Sequence, residues 1–228
     1  MPTGHFTPAF FEFLEELACN NNREWFQRNR HRYESHVRDP MLAFIADLAP
    51  HLRKLSRYYV ADPRPSGGSM FRIYRNLRFS RDKTPYKTNV SAAIHHSSTR
   101  GWPSPAFYVS LAPSQIFGGV GIWHPDAETL RRIRDAIVTR PTPWKKAIGD
   151  RGFRRQFELM GESLSRPPRG YDPGHPLIED LKRKDFVAGR DFTRREACSP
   201  RFSETFAAAC EASAPFVRFL TEAVGLKW

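Results

Sequence analysis

The sequence predicts an α+β fold, with helices at both ends of the chain and an antiparallel or mixed sheet between them. Three observations predict it. Apolar residues recur at helical spacing over the first fifty-odd residues. β-Branched and aromatic residues with a period of two take over in the middle, and helical spacing returns towards the carboxy terminus. With 228 residues and 40% hydrophobic side chains there is enough apolar surface for a packed core, and one domain spanning residues 1–228 is expected.

The first helix opens at Thr7-Pro8, a cap followed by a proline whose missing N–H is harmless in the first turn. Phe10, Phe13, Leu14 and Leu17 then share one face. Asn20-Asn21-Asn22 breaks the chain and offers a cap for a second helix through Trp25, Phe26, Tyr33 and Val37. Asp39-Pro40 repeats the pattern and opens a third through Met41, Phe44, Ile45, Leu48, Leu52 and Leu55, kinked at Pro50.

Strands are expected at 57–61, 88–96, 106–112 and 115–123. Phe107, Val109 and Leu111 alternate as a half-buried strand requires. Pro113-Ser114 is short enough to join the last two strands as an antiparallel hairpin. Gly118, Gly119 and Gly121 indicate a bulge or the close approach of another backbone.

His124-Pro125 starts the next helix, with Asp126 and Glu128 in its first turn and a buried stripe at Leu130, Ile133, Ile137 and Val138. Arg140-Pro141 ends it. Four prolines and two glycines make 166–176 a loop, and a short helix is expected over 177–184. The last helix opens at Ser199-Pro200 and runs through Phe202, Phe206 and Ala209. Pro215 is expected to interrupt it before Phe216, Phe219 and Leu220.

Composition excludes several function classes. No run approaches the roughly 18 apolar residues of a membrane span. The amino terminus has no basic leader and reads as a helix. Cys19, Cys198 and Cys210 form no CxxC pair and have no histidine at zinc spacing, so buried thiols in a reducing cytoplasm are expected, with no metal and no cofactor. Metalloprotease, nucleophile-elbow, P-loop and dinucleotide-binding motifs are all missing. Trp25, Tyr33, Trp102, Trp123 and Trp144 read as core or interface filler.

Charge is the informative feature. Lys and Arg number 36 against 24 acids, a net +12 that favours anionic partners. Half of that excess lies between Ser66 and Gly101, where Arg72, Arg75, Arg78, Arg81, Lys83, Lys87 and Arg100 face one acid, Asp82. If 71–79 is helical, Arg72, Arg75 and Arg78 share one side; if it is a strand, Arg72 and Arg78 share a face and Arg75 points away. Guanidinium is planar, permanently charged and suited to bidentate capture of phosphate or carboxylate. Lys83 and Lys87 add point charges across a Pro85 turn, Asp82 can hold Arg78 or Lys83 in place, and Tyr74 and Tyr86 offer hydroxyls or stacking faces.

These residues also carry a resemblance. FRIYRNLRFSRDKTPYKTN at 71–89 resembles the signature of domain of unknown function 2461, an uncharacterised, mostly microbial family. GGVGIWHPD at 118–126, PPRGYDPGHPLIEDLKRKDF at 167–186 and NNNREWFQRNRHRYE at 20–34 support it. Asn76 stands where the pattern leads one to expect an acid, which removes a metal ligand or base from that position. The resemblance implies a cytoplasmic, single-domain α+β protein and no particular activity.

Three functional readings follow. The first is a module that holds a phosphate- or carboxylate-bearing ligand, or a nucleic-acid backbone, through Arg72, Arg75, Arg78, Arg81, Lys83, Tyr86 and Lys87. The second is an enzyme acting on an anionic small molecule, with the same arginines positioning it and His124 or Asp82 as acid or base. The third is a cationic face that docks an acidic protein. His124, in WHPD at a strand–helix junction, reads equally as a capping residue; His95-His96 ends a strand, and His175 sits in a PGHP turn.

Overall fold

The computed structural model describes residues 4–78, 80–99 and 104–228. Helices α1 (Pro8–Cys19), α2 (Arg23–Arg28), α3 (Arg30–Tyr33) and α4 (Asp39–Leu55) come first, and strands β1 (Val90–His95), β2 (Ala106–Leu111) and β3 (Ile116–Ile122) follow. Then come α5 (Ala127–Thr139), α6 (Pro141–Gly149), α7 (Arg151–Gln156), β4 (Glu158–Met160), α8 (Ile178–Leu181), β5 (Phe186–Phe192), α9 (Arg194–Ala197) and α10 (Phe202–Ala223). The architecture is α+β, as the periodicities predict.

The amino-terminal helices form for the expected reasons. Pro8 is the first residue of α1, and Phe10, Phe13, Leu14 and Leu17 are fully buried, joined by Phe11. The Asn22 carboxamide oxygen accepts the Trp25 N–H at 2.9 Å and caps α2. The break before α4 is smaller than predicted. A π-helical turn over Glu34–Arg38 carries the chain into α4, and Asp39 already has helical angles. Phe6, just before α1, lies 5.2 Å from Phe44 and 5.9 Å from Phe202 between ring centroids, which ties the entry to α1 to α4 and the start of α10. Burying each such ring is worth about 1.5–3 kcal/mol.

Helix α10 corrects another expectation, because it runs unbroken through Pro215. Pro215 and Glu211, whose carbonyl loses its N–H partner, are both exposed, while Phe216, Val217, Phe219 and Leu220 are buried beyond them. Packing outweighs one lost hydrogen bond. Val138 of α5 is exposed, not part of the buried stripe.

Among the described residues the strands form one antiparallel sheet in the order β1-β2-β3-β5-β4. Pro113-Ser114 closes the β2–β3 hairpin, with Ala112 and Gln115 exchanging backbone hydrogen bonds. Neither β4 nor β5 is anticipated by the periodicity. The expected strand at 57–61 is reduced to one bridge, Tyr59 to His96. The edge of β1 is occupied instead by 69–71, where Ala93 donates to the Ser69 carbonyl and Phe71 to the Ser91 carbonyl, both at 2.9 Å.

Register separates the two faces. Ala92, Val109 and Gly118 are aligned across β1, β2 and β3, on the side where α10 packs through Phe206. Tyr108 and Phe117 lie on the opposite side. Gly121, at φ +108°, is required: a Cβ there would lie 2.1 Å from the Phe186 carbonyl oxygen.

Candidate anion site

The basic segment is neither helix nor regular strand. It is a hairpin with antiparallel arms, the first following the 69–71 segment beside β1 and the second leading into β1. Arg75 donates its backbone N–H to the Pro85 carbonyl at 2.9 Å, Lys87 donates to Ile73 at 2.8 Å, and Tyr74 bridges Tyr86. The Asn21 side chain clamps the outer arm, accepting the Tyr86 N–H at 3.0 Å and donating to the Tyr86 carbonyl at 2.9 Å. The asparagine run thus does more than end α1.

Within the tip, the Arg75 guanidinium crosses the loop to the Asp82 carboxylate and the Thr84 hydroxyl, and reaches the Ser80 hydroxyl at 3.3 Å. Asp82 also accepts the Thr84 N–H at 2.9 Å. The Arg75 guanidinium, and then the Thr84 groups, hold the Asp82 carboxyl down at about 2. Asp82 therefore stays ionised and holds Arg75, where sequence suggested Arg78 or Lys83. Lys83 donates to the Leu77 carbonyl at 3.1 Å, which closes the tip from the other side.

Arg72, Arg78 and Arg81 are exposed and form no ion pair among the described residues. Lys87 is half-buried, its ammonium 5.5 Å from the centre of the Phe71 ring. Burial, and then the neighbouring Arg72 guanidinium, push the Lys87 ammonium below its usual range. Tyr86 corrects the sequence reading. It is buried, stacked on Phe26 at 4.1 Å, and its hydroxyl is pushed up by burial, so its ring serves the core. Tyr74 is 55% exposed, its ring tilted against Tyr86 at 5.4 Å. Arg100 and Trp102 lie outside the described residues.

His124 is placed elsewhere. The hairpin leads into the Val90 end of β1, which register aligns with Leu111 and Ile116; His124 follows Ile122 at the opposite end of the sheet. The seven residues of β3 span about 20 Å. The structure therefore does not bring His124 and the arginines together. Nor is His124 the helix cap: Asp126 is, accepting the Thr129 N–H at 2.7 Å.

His124 has φ 50° and donates its backbone N–H to Asp185 at 2.7 Å. Its ring stacks on Trp123 at 4.8 Å, and Trp123 is 57% exposed, not core. Asp185 is 1% exposed and also accepts the Glu162 N–H at 3.0 Å. Sequence reasoning missed this anchor, because an acid in KRKDF reads as a surface residue.

Other expectations also shift. His96, at the end of its strand, is buried, with its ring between the Lys227 carbonyl and the Ser98 N–H. Cys19 is exposed, Cys198 half-buried and Cys210 buried. Among the described residues no group of three or more His, Cys, Asp or Glu stands close enough to hold a metal ion. No helix among them is long and apolar enough to cross a membrane.

A family model described as a conserved hypothetical protein (DUF2461) matches residues 9–219, nearly the whole chain, and the protein belongs to that family. No curated protein matches the sequence.

Proposed function

We propose that this member of the DUF2461 family binds a phosphate- or carboxylate-bearing ligand through its basic hairpin. One observation carries the reading. The hairpin's one acid is consumed internally by Arg75, which leaves Arg72, Arg78 and Arg81 without an ion pair among the described residues, on a loop whose arms are bonded to each other and held by Asn21. In this reading Arg75 and Asp82 position the loop, and Arg72, Arg78, Arg81, Lys83 and Lys87 meet the ligand. Electrostatic attraction to several exposed cations suits a polyanion better than a single carboxylate. The free Cys19 and Cys198 support a reducing, cytoplasmic setting.

Calorimetric titration with inorganic tripolyphosphate at low salt tests the proposal. Saturable binding is expected, weakened at least tenfold in an Arg72→Gln/Lys87→Gln double variant. Equal affinity in wild type and double variant, or no heat at all, rejects it.

A further inference from the structure

The sheet face turned away from the helices carries a row of aromatic side chains that are exposed or only half-buried. Phe71 lies 6.4 Å from Tyr108, and Tyr108 6.4 Å from Phe117, between ring centroids. Phe71 is 43% exposed, and Tyr108 and Phe117 are half-buried. Successive rings are tilted by 52° and 55°, and two glycines let the last one, Phe117, lie on the sheet. A Cβ at Gly119 would lie 2.9 Å from the Phe117 ring, and one at Gly189 would lie 2.5 Å from it. With no side chain at either position, the Phe117 ring lies down across β3 and β5 and presents its face outward. The row ends against the basic hairpin, where Lys87 sits over Phe71.

We propose that this open face binds single-stranded nucleic acid, with bases stacked on Phe71, Tyr108 and Phe117 and phosphates drawn to Arg72 and Lys87. The inference rests on the anion-binding reading of the hairpin and specifies the anion. A stacking platform beside a cationic edge is what a single strand requires, because every base has a π face and every linkage a negative charge. The exposed ring surface selects the single strand. In a duplex both faces of a base are covered by its stacked neighbours, so rings on an open sheet face can take bases only from a chain drawn out of the duplex stack. Charge fixes which end is anchored. Exposed Asp191 pairs with Phe117 in register and accepts a hydrogen bond from Gln115, and exposed Glu158 lies on the far edge strand, so attraction is concentrated at the Phe71 end.

The test uses fluorescein-labelled (dT)12, (rU)12 and a 12-base-pair duplex, followed by anisotropy at 50 and 200 mM salt, with tripolyphosphate titrated in parallel. The single strands should bind at least tenfold more tightly than the duplex, and affinity should fall with salt. Phe117→Leu and Tyr108→Leu keep apolar cover but remove the ring. Each should weaken single-strand binding about tenfold while leaving tripolyphosphate affinity unchanged. Phe71→Leu, at an exposed ring, serves the same purpose should either of the others fail to fold. Leucine variants that bind (dT)12 and (rU)12 like wild type overturn the platform, as does a single-strand affinity no better than that of the duplex. Tripolyphosphate binding that survives such a result leaves the hairpin reading standing. Loss of both ends both.

Discussion

Removing the Asp185 carboxylate tests whether the far end of the sheet is organised as described. Its two oxygens accept backbone N–H groups from separate loops, His124 at 2.7 Å and Glu162 at 3.0 Å, and the residue is 1% exposed. A hydrogen bond to a charged acceptor is worth about 1.5–3 kcal/mol, and an N–H left buried adds its own desolvation cost. The His124 side chain is exposed, so water can reach part of that loop, and the lower end of the range applies. Asp185→Ala is therefore expected to cost about 3–4 kcal/mol. For a chain of this size that is a fall in Tm of about 10 °C. Asp185→Asn keeps one acceptor oxygen but turns an NH2 towards the other donor, and should recover less than half of the loss. Urea unfolding followed by circular dichroism gives the free energies, and calorimetry gives Tm. A cost below about 0.5 kcal/mol for Asp185→Ala would refute the reasoning.

Gly189→Ala places a Cβ 2.4 Å from the Met160 sulfur and 2.5 Å from the Phe117 ring, so it should lower the urea stability by about 1–3 kcal/mol. Gly149→Ala, with nothing within 4 Å, should be neutral or stabilising in the same assay. The Asp82 carboxyl is held at about 2 in the folded chain against an ordinary value of about 3.9, so its contribution is fully present above about pH 4 and is lost as pH falls through about 2. Carboxyl NMR titration should show that midpoint, and Arg75→Gln should return it towards 4; a wild-type midpoint near 4 contradicts the staple. Towards a disulfide-exchange reagent, Cys19 should react at once. Cys198, whose thiol is pushed up by burial, should react slowly, and Cys210 only on unfolding.

Legibility followed periodicity. Phe10, Phe13, Leu14 and Leu17, or Phe107, Val109 and Leu111, repeat at the spacing of the element that buries them, and the structure buries them all. The same alternation implied that Tyr108 points the other way, so the open face was readable in outline. Strand β5 was not, because FVAGRDF places Arg190 on the helix side and Asp191 on the open side, which breaks the apolar alternation. Arg190 is accommodated there by the Gln156 carboxamide and by the Phe192 ring at 4.2 Å, partners that only tertiary structure supplies. The basic hairpin was visible as charge. That Arg75 and Asp82 cancel, and that Tyr86 turns inward onto Phe26, depends on contacts from Asn21 in the α1–α2 turn, from α2 and from the loop itself, which no local pattern records.

The distance between the two ends of the sheet has a consequence for His124. Sequence made it a partner of the arginines, but the strand length places it about 20 Å from the hairpin end. Two unit charges that far apart in water interact by about 0.2 kcal/mol before screening. A Debye length of about 8 Å at physiological salt reduces this to a few hundredths. Even a fully charged ring at His124 would thus leave the hairpin's affinity unaltered, and no proton could pass between the two without a relay. His124→Ala should keep tripolyphosphate affinity within twofold of wild type, while Arg72→Gln measured alongside should not. A tenfold loss on His124→Ala would mean that ligand reaches both ends at once, and the single-site reading of the hairpin would have to be abandoned.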